Sequence, residues 1–95
     1  MKVIVVYDVS EEYEEERREL RELLESLGGR WLQYSVYMVE TTEKGVERIL
    51  RKAREIARRR EATIHVIPVC ERCLKGVKQI GIPRRRPRGE APRVL

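Results

Sequence analysis

Lys2-Val3-Ile4-Val5-Val6-Tyr7-Asp8 stands at the start of the chain. A short β-branched run that is apolar at both alternating sets of positions fits a central strand covered on two faces, so a strand is read over 2–7, ending at Asp8. Ser10 is a good N-cap. Glu11 and Glu12 would then lie in the first turn of a helix, where the positive end of the macrodipole favours anions. Tyr13, Leu20, Leu23, Leu24 and Leu27 recur at helical spacing until Gly28-Gly29 closes the helix. Residues 30–40 hold Trp31, Tyr34, Val36, Tyr37, Met38 and Val39, which is strand composition, as one bent strand or two short ones meeting near Ser35. Thr42 caps a second helix whose Val46, Ile49, Leu50, Ala53, Ile56 and Ala57 form an i, i+3, i+4, i+7 stripe. Thr63 to Val69 is a further strand closed by Pro68 and the cysteines, and Val77 to Ile82 a short edge strand.

That order is an α+β fold, a ferredoxin-like βαββαβ sandwich with two helices on one sheet face. Its other face has no cover. A chain of 95 residues makes one small domain, which buries only about two-thirds of its unfolded surface. A homodimer packed through the open sheet faces is the economical solution. The domain is set at residues 1–82 and an Arg/Pro-rich, flexible tail at 83–95. No apolar run approaches the ~20 residues that cross a bilayer, and the N-terminal run has the wrong flanks for a signal peptide, so a soluble, cytoplasmic protein is expected.

Charged residues form 39% of the chain while Asn and Phe are absent, a balance resembling that of thermophile proteins. Net charge is +5, and the tail's Arg84, Arg85, Arg86, Arg88 and Arg93 against Glu90 account for most of it. Nucleic acid is the partner such an excess points to. On the second helix, Lys44, Arg48, Arg51, Lys52, Arg58 and Arg59 form one broad outer surface. Doubled in a dimer it would suit duplex phosphates; the plainer reading is a solvated face, since Glu47 and Glu55 each precede an Arg by four residues.

Asp8 is the only aspartate among 16 acidic residues. Next to a helix N-terminus it either helps to cap that helix or positions a phosphate or a metal. One Asp is too few for a metal-dependent nuclease site built from one chain; a two-fold axis would supply the second. Arg17 lies in the near half of the first helix, where it suits a phosphate held at Asp8. Arg18 follows Glu14 by four residues and reads first as a solvated pair, and Arg30 is either a phosphate contact or a surface charge. Cys70-Glu71-Arg72-Cys73 reads as structural thiols or a stabilising disulfide, and His65 as a packed or surface histidine. No Gly-rich phosphate loop, zinc-protease motif or Ser/His/Asp set is present.

The opening Val3-Ile4-Val5-Val6-Tyr7-Asp8-Val9-Ser10, the Arg17-Arg18 pair, Gln33-Tyr34-Ser35-Val36-Tyr37 and Ile67-Pro68-Val69-Cys70-Glu71-Arg72-Cys73 together resemble the CRISPR-associated protein 2 family over residues 1 to about 82. The resemblance implies a ferredoxin-like homodimer that acts in CRISPR spacer acquisition, bridging copies of the spacer integrase and holding spacer DNA duplex on a basic surface. It also implies a Mg²⁺-dependent or Mn²⁺-dependent endonuclease on single-stranded RNA or duplex DNA. The family's metal-binding and catalytic aspartate falls on Asp8, shared between subunits, and its neighbouring aromatic on Tyr7. Its helix arginine falls on Arg17 or Arg18, with Arg30 and Ser35 matching positions near the hairpin; where many members have Phe, this chain has Tyr37. Nucleic-acid contacts are thus expected from Arg17, Arg18, Arg30, Arg48, Arg51, Lys52, Arg84, Arg85 and Arg86. The alternatives are a non-catalytic DNA-binding scaffold and a stand-alone toxin ribonuclease of the VapD type.

Overall fold

The computed structural model describes residues 1–83, so the expectations for Arg84, Arg85, Arg86 and a flexible tail lie outside the described residues. Strand β1 (Lys2–Val9) leads to α1 (Glu14–Ser26), β2 (Arg30–Gln33), β3 (Val36–Glu40), α2 (Glu43–Arg59), β4 (Ala62–Val69) and a short α3 (Glu71–Lys75). The sheet is antiparallel throughout, in the order β2-β3-β1-β4, which is the expected βαββαβ topology.

Alternation along β1 decides where the core lies. Val3, Val5, Tyr7 and Val9 are buried, whereas Lys2, Ile4 and Val6 are half-buried and Asp8 is exposed. The buried set meets Leu20 and Leu24 of α1, Val46, Ile49 and Ile56 of α2, and Trp31, Tyr37 and Val39 of the hairpin. Of the stripe read on α2, Val46, Ile49, Ala53 and Ile56 are buried, Leu50 is half-buried and Ala57 is exposed, and Thr42 caps that helix, its hydroxyl accepting the Gly45 N–H at 3.2 Å. Helix α1 ends in a Schellman arrangement: Gly29 N–H donates to Leu24 O at 2.8 Å and Gly28 N–H to Glu25 O at 3.0 Å, with Gly28 at φ +85°.

Five features differ from the sequence reading. β1 does not stop at Asp8, because Asp8 and Val9 still pair with Thr63 and Ala62. The extra pairing moves the start of α1 to Glu14: Ser10 is not its cap but accepts the Tyr13 N–H at 2.9 Å in a turn, and Tyr13 takes the N-cap position without a side-chain bond. Asp8 therefore caps nothing. Val77 to Ile82 forms no strand, and α3 occupies a stretch where no helix was expected. Pro68 lies within β4 rather than ending it, as an edge strand allows.

Charged groups tie the two long helices together. Arg60 Nε donates to Glu16 Oε2 at 2.9 Å and its guanidinium stacks 4.7 Å from the Tyr13 ring centroid. Glu19 faces both Lys52 at 3.7 Å and Arg59 at 3.6 Å. The Arg60 hydrogen bond, more than any other cause, holds the Glu16 carboxyl below its ordinary 4.5. A carboxyl lowered by folding stabilises the fold above its unfolded value and loses that contribution as pH falls through the folded one. Glu16→Gln is expected to melt below the wild type near neutral pH and to converge with it in acid, in thermal melts from about pH 7 to about pH 2. A constant gap across that range would contradict the linkage.

Candidate functional site at Asp8

Extension of β1 to Val9 places Asp8 on the open side of the sheet, opposite Thr63 of β4. Its carboxylate is in no ion pair among the described residues, and its two neighbours in sequence, Tyr7 and Val9, are buried on the other side. The β2–β3 turn closes in beside it. Trp31, fully buried, donates its Nε1–H to Tyr34 O at 2.8 Å, and Ser35 O accepts the Tyr7 N–H at 3.1 Å. Tyr34 adopts a left-handed φ of 43° to make this turn and is exposed. The hairpin is thus two short strands, its turn held within the hairpin by Trp31 and joined to β1 through Ser35 O.

Asp8, Glu11, Arg17, Tyr34 and Ser35 line one cleft of about 390 Å³. Arg17 is half-buried; its Nη1 donates to Val9 O at 2.6 Å and its guanidinium carbon is 5.9 Å from the Tyr7 ring centroid. One strong bond to a carbonyl leaves the other guanidinium N–H groups for an anion. Tyr7 in turn stacks on Tyr37 with centroids 6.4 Å apart, so the aromatic pair supports Arg17 from below.

The other expected residues are placed elsewhere. Arg18 is exposed and forms no ion pair with Glu14 among the described residues. Arg30 sits opposite Met38 at the far end of the open face, in a separate cleft of about 510 Å³ with Glu40, Leu74 and Lys75. On α2, Lys52 is engaged with Glu19 and Glu55, and Arg59 with the same two carboxylates. Arg48 and Arg51 are exposed and have no ion pair among the described residues, so the solvated Glu47–Arg51 pair is not formed. They lie on the helical side of the sheet, away from Asp8.

His65 is a neighbour that the sequence did not reveal. It pairs with Val6, so it shares the open face with Asp8 one diagonal away, a separation of about 7–8 Å between such positions. Only the register shows this; alternation alone does not say which face a strand turns to the helices. Tyr34 was likewise not read as a site residue, only as strand composition and as part of the Gln33–Tyr37 stretch.

No group of three His, Cys, Asp or Glu side chains converges among the described residues. A single exposed carboxylate does not hold a hard divalent cation by itself, since such ions demand several oxygens. The open face offers the remedy: Ile4, Val6, Val36 and Val69 are half-buried, Met38 is 9% exposed and Ile67 45% exposed. Asp8 is the oxygen donor this face would give to Mg²⁺ or Mn²⁺, and a second copy packed here would have to supply the further carboxylate. No helix among the described residues is long and apolar enough to cross a membrane.

Comparison with known proteins bears on the whole arrangement. A family model described as CRISPR associated protein Cas2 matches residues 1–77. Proteins named CRISPR-associated endoribonuclease Cas2 are similar to this chain. The one from Methanopyrus kandleri is 43% identical over 76 residues, covering 76% of this chain and 73% of that protein. The one from Desulforudis audaxviator is 30% identical over 82 residues, covering 86% and 76%. A relative from Archaeoglobus fulgidus, named CRISPR-associated endoribonuclease Cas2 1, is 34% identical over 70 residues, covering 74% and 72%. The crystal structure of Streptococcus pyogenes Cas2 at pH 6.5 superposes with a TM-score of 0.70 over 85% of this chain and all of that one, at 24% identity, and so attests the fold. With that fold, the strand-borne aspartate and these matches together, the chain belongs to the Cas2 family.

Proposed function

We propose that this chain acts in CRISPR spacer acquisition as a homodimer that binds nucleic acid, docks the spacer integrase and hydrolyses phosphodiester bonds with a divalent metal at Asp8. The observation that carries the reading is the placement of Asp8, exposed on the open sheet face at the end of a patch of Ile4, Val6, Val36, Met38 and Ile67, with Arg17 and the Tyr34–Ser35 turn at its side. The names of the relatives, endoribonucleases all, support the cleavage part.

A divalent metal held between two Asp8 carboxylates would supply an acidified water and polarise a phosphoryl oxygen. The chain's own groups do the rest. Asp8 would hold the metal, and the Arg17 guanidinium, held by Val9 O, offers its remaining donors to charge that develops on the phosphate oxygens. Tyr34 and Ser35 wall the cleft on the hairpin side and limit how the nucleic-acid strand enters.

Binding uses the other surface. Arg48 and Arg51, with Lys44, Arg54 and Arg58, are exposed α2 cations in no ion pair among the described residues, whereas Lys52, half-buried and engaged by Glu19 and Glu55, is the weaker candidate. Their separation from Asp8 favours keeping the non-catalytic scaffold as the second reading. Duplex DNA affinity is expected to fall linearly on a log-log salt plot, and Arg48→Ala with Arg51→Ala to flatten the slope by about 0.9 for each phosphate that is no longer neutralised. An unchanged slope would remove Arg48 and Arg51 from the interface. A toxin ribonuclease of the VapD type would cleave without affinity for an integrase, so co-purification with the integrase separates those two.

A further inference from the structure

Cys70 and Cys73 play no part in the site at Asp8. Both are free and exposed, which is not how inert structural thiols are kept. Cys70 is the N-cap of α3, and its Sγ accepts the Cys73 N–H at 3.3 Å. That bond turns the Cys70 sulfur into the first turn, over the residue that carries the second thiol. Positions three apart in a helical turn also bring their Cα atoms within the roughly 4.4–6.8 Å that a disulfide spans. Arg72 and Lys75 add positive charge within the same five-residue helix, while Glu71 is drawn off by Lys2 at 3.7 Å. The Cys73 N–H, followed by the Cys73 thiol, lowers the Cys70 thiol below its usual value, and the same contact raises Cys73. The two sulfurs are therefore chemically unequal.

We propose that Cys70 and Cys73 are a reversible dithiol–disulfide couple for low-molecular-weight disulfides of the glutathione class, with Cys70 as the attacking sulfur and Cys73 as the resolving one. The Cys70 thiolate attacks one sulfur of the small disulfide, forming a mixed disulfide and expelling one thiolate. Cys73 then gives up its proton and attacks the Cys70 sulfur, closing the internal disulfide and expelling the second thiolate. The small disulfide gains two electrons and two protons to become two thiols, and the protein dithiol loses the same. Exposure at both sulfurs lets either direction run. The couple also stands at the rim of the open sheet face, because Leu74 and Lys75 of α3 share a cleft with Arg30 and Met38.

The test uses the full chain, reduced, freed of reductant and metal, then exposed to oxidised glutathione, quenched in acid and weighed intact. Wild type is expected to become lighter by two hydrogen atoms and to recover with dithiothreitol. Cys73→Ser is expected to hold a stable adduct of one glutathione, and Cys70→Ser to react about tenfold more slowly. Three results would each overturn the couple: wild type carrying two glutathiones without an internal disulfide, equal rates in the two single variants, or bound zinc that shields both thiols as purified. None of these readouts depends on nucleic-acid cleavage or on the dimer.

Discussion

Asp8→Asn is expected to reduce metal-dependent cleavage of single-stranded RNA or duplex DNA by about 10²-fold or more, the scale on which one charge-stabilising group acts in a transition state. The substitution keeps the side chain's shape and removes its charge. Since Asp8 is exposed and in no ion pair among the described residues, the fold itself is expected to change by no more than about 0.5 kcal/mol. The dimer should respond in the opposite sense from activity. Two carboxylates brought together without a cation repel, so with chelator present Asp8→Asn is expected to dimerise at least as tightly as the wild type. Cleavage of end-labelled substrates beside sedimentation in chelator reads both effects. Full activity in Asp8→Asn would make Asp8 a bystander.

Trp31→Ala is the largest expected loss of stability, about 3–5 kcal/mol by the scale of buried aromatic truncations. Trp31 is fully buried against Tyr37 of the neighbouring strand. It also supplies the indole N–H that holds the Tyr34 carbonyl at 2.8 Å. Tyr34 stands at φ 43°, a conformation that costs a non-glycine residue roughly 1–3 kcal/mol and persists only when its surroundings enforce it. Trp31→Phe isolates the second role: it keeps most of the apolar area and loses the hydrogen bond, at about 0.5–1.5 kcal/mol. Because that turn walls the Asp8 cleft, Trp31→Phe should loosen the site more than the fold, visible as a loss of cleavage at temperatures well below a midpoint lowered by only a few degrees. A cost below about 1 kcal/mol for Trp31→Ala would mean that the hairpin does not depend on this side chain.

The unbroken β-branched run Val3 to Tyr7 made β1 legible, and the helical repeat of the Val46–Ile56 stripe made α2 legible. The start of α1 was misleading for a physical reason. Ser10 followed by Glu11 and Glu12 has the chemistry of a cap and first turn, but continued pairing of Asp8 and Val9 with β4 outweighs it, and a turn must intervene before a helix can begin. Val77 to Ile82 has strand composition without a partner, and a strand exists only as part of a ladder; α3, at five residues, is too short to show a period. Within the candidate site, Asp8 and Arg17 were singled out from their positions, and they line one cleft. Tyr34 and His65 were not, because their place follows from a turn geometry and a pairing register that no single strand encodes.

The central claim, a cation shared between the Asp8 carboxylates of two copies, is tested most directly by counting Mn²⁺ bound to the purified dimer, by equilibrium dialysis with the mass of the assembly measured alongside. One ion per two chains, lost in Asp8→Asn while the dimer mass is retained, is the expected result. One ion on every chain, or an ion still bound by Asp8→Asn, would contradict it.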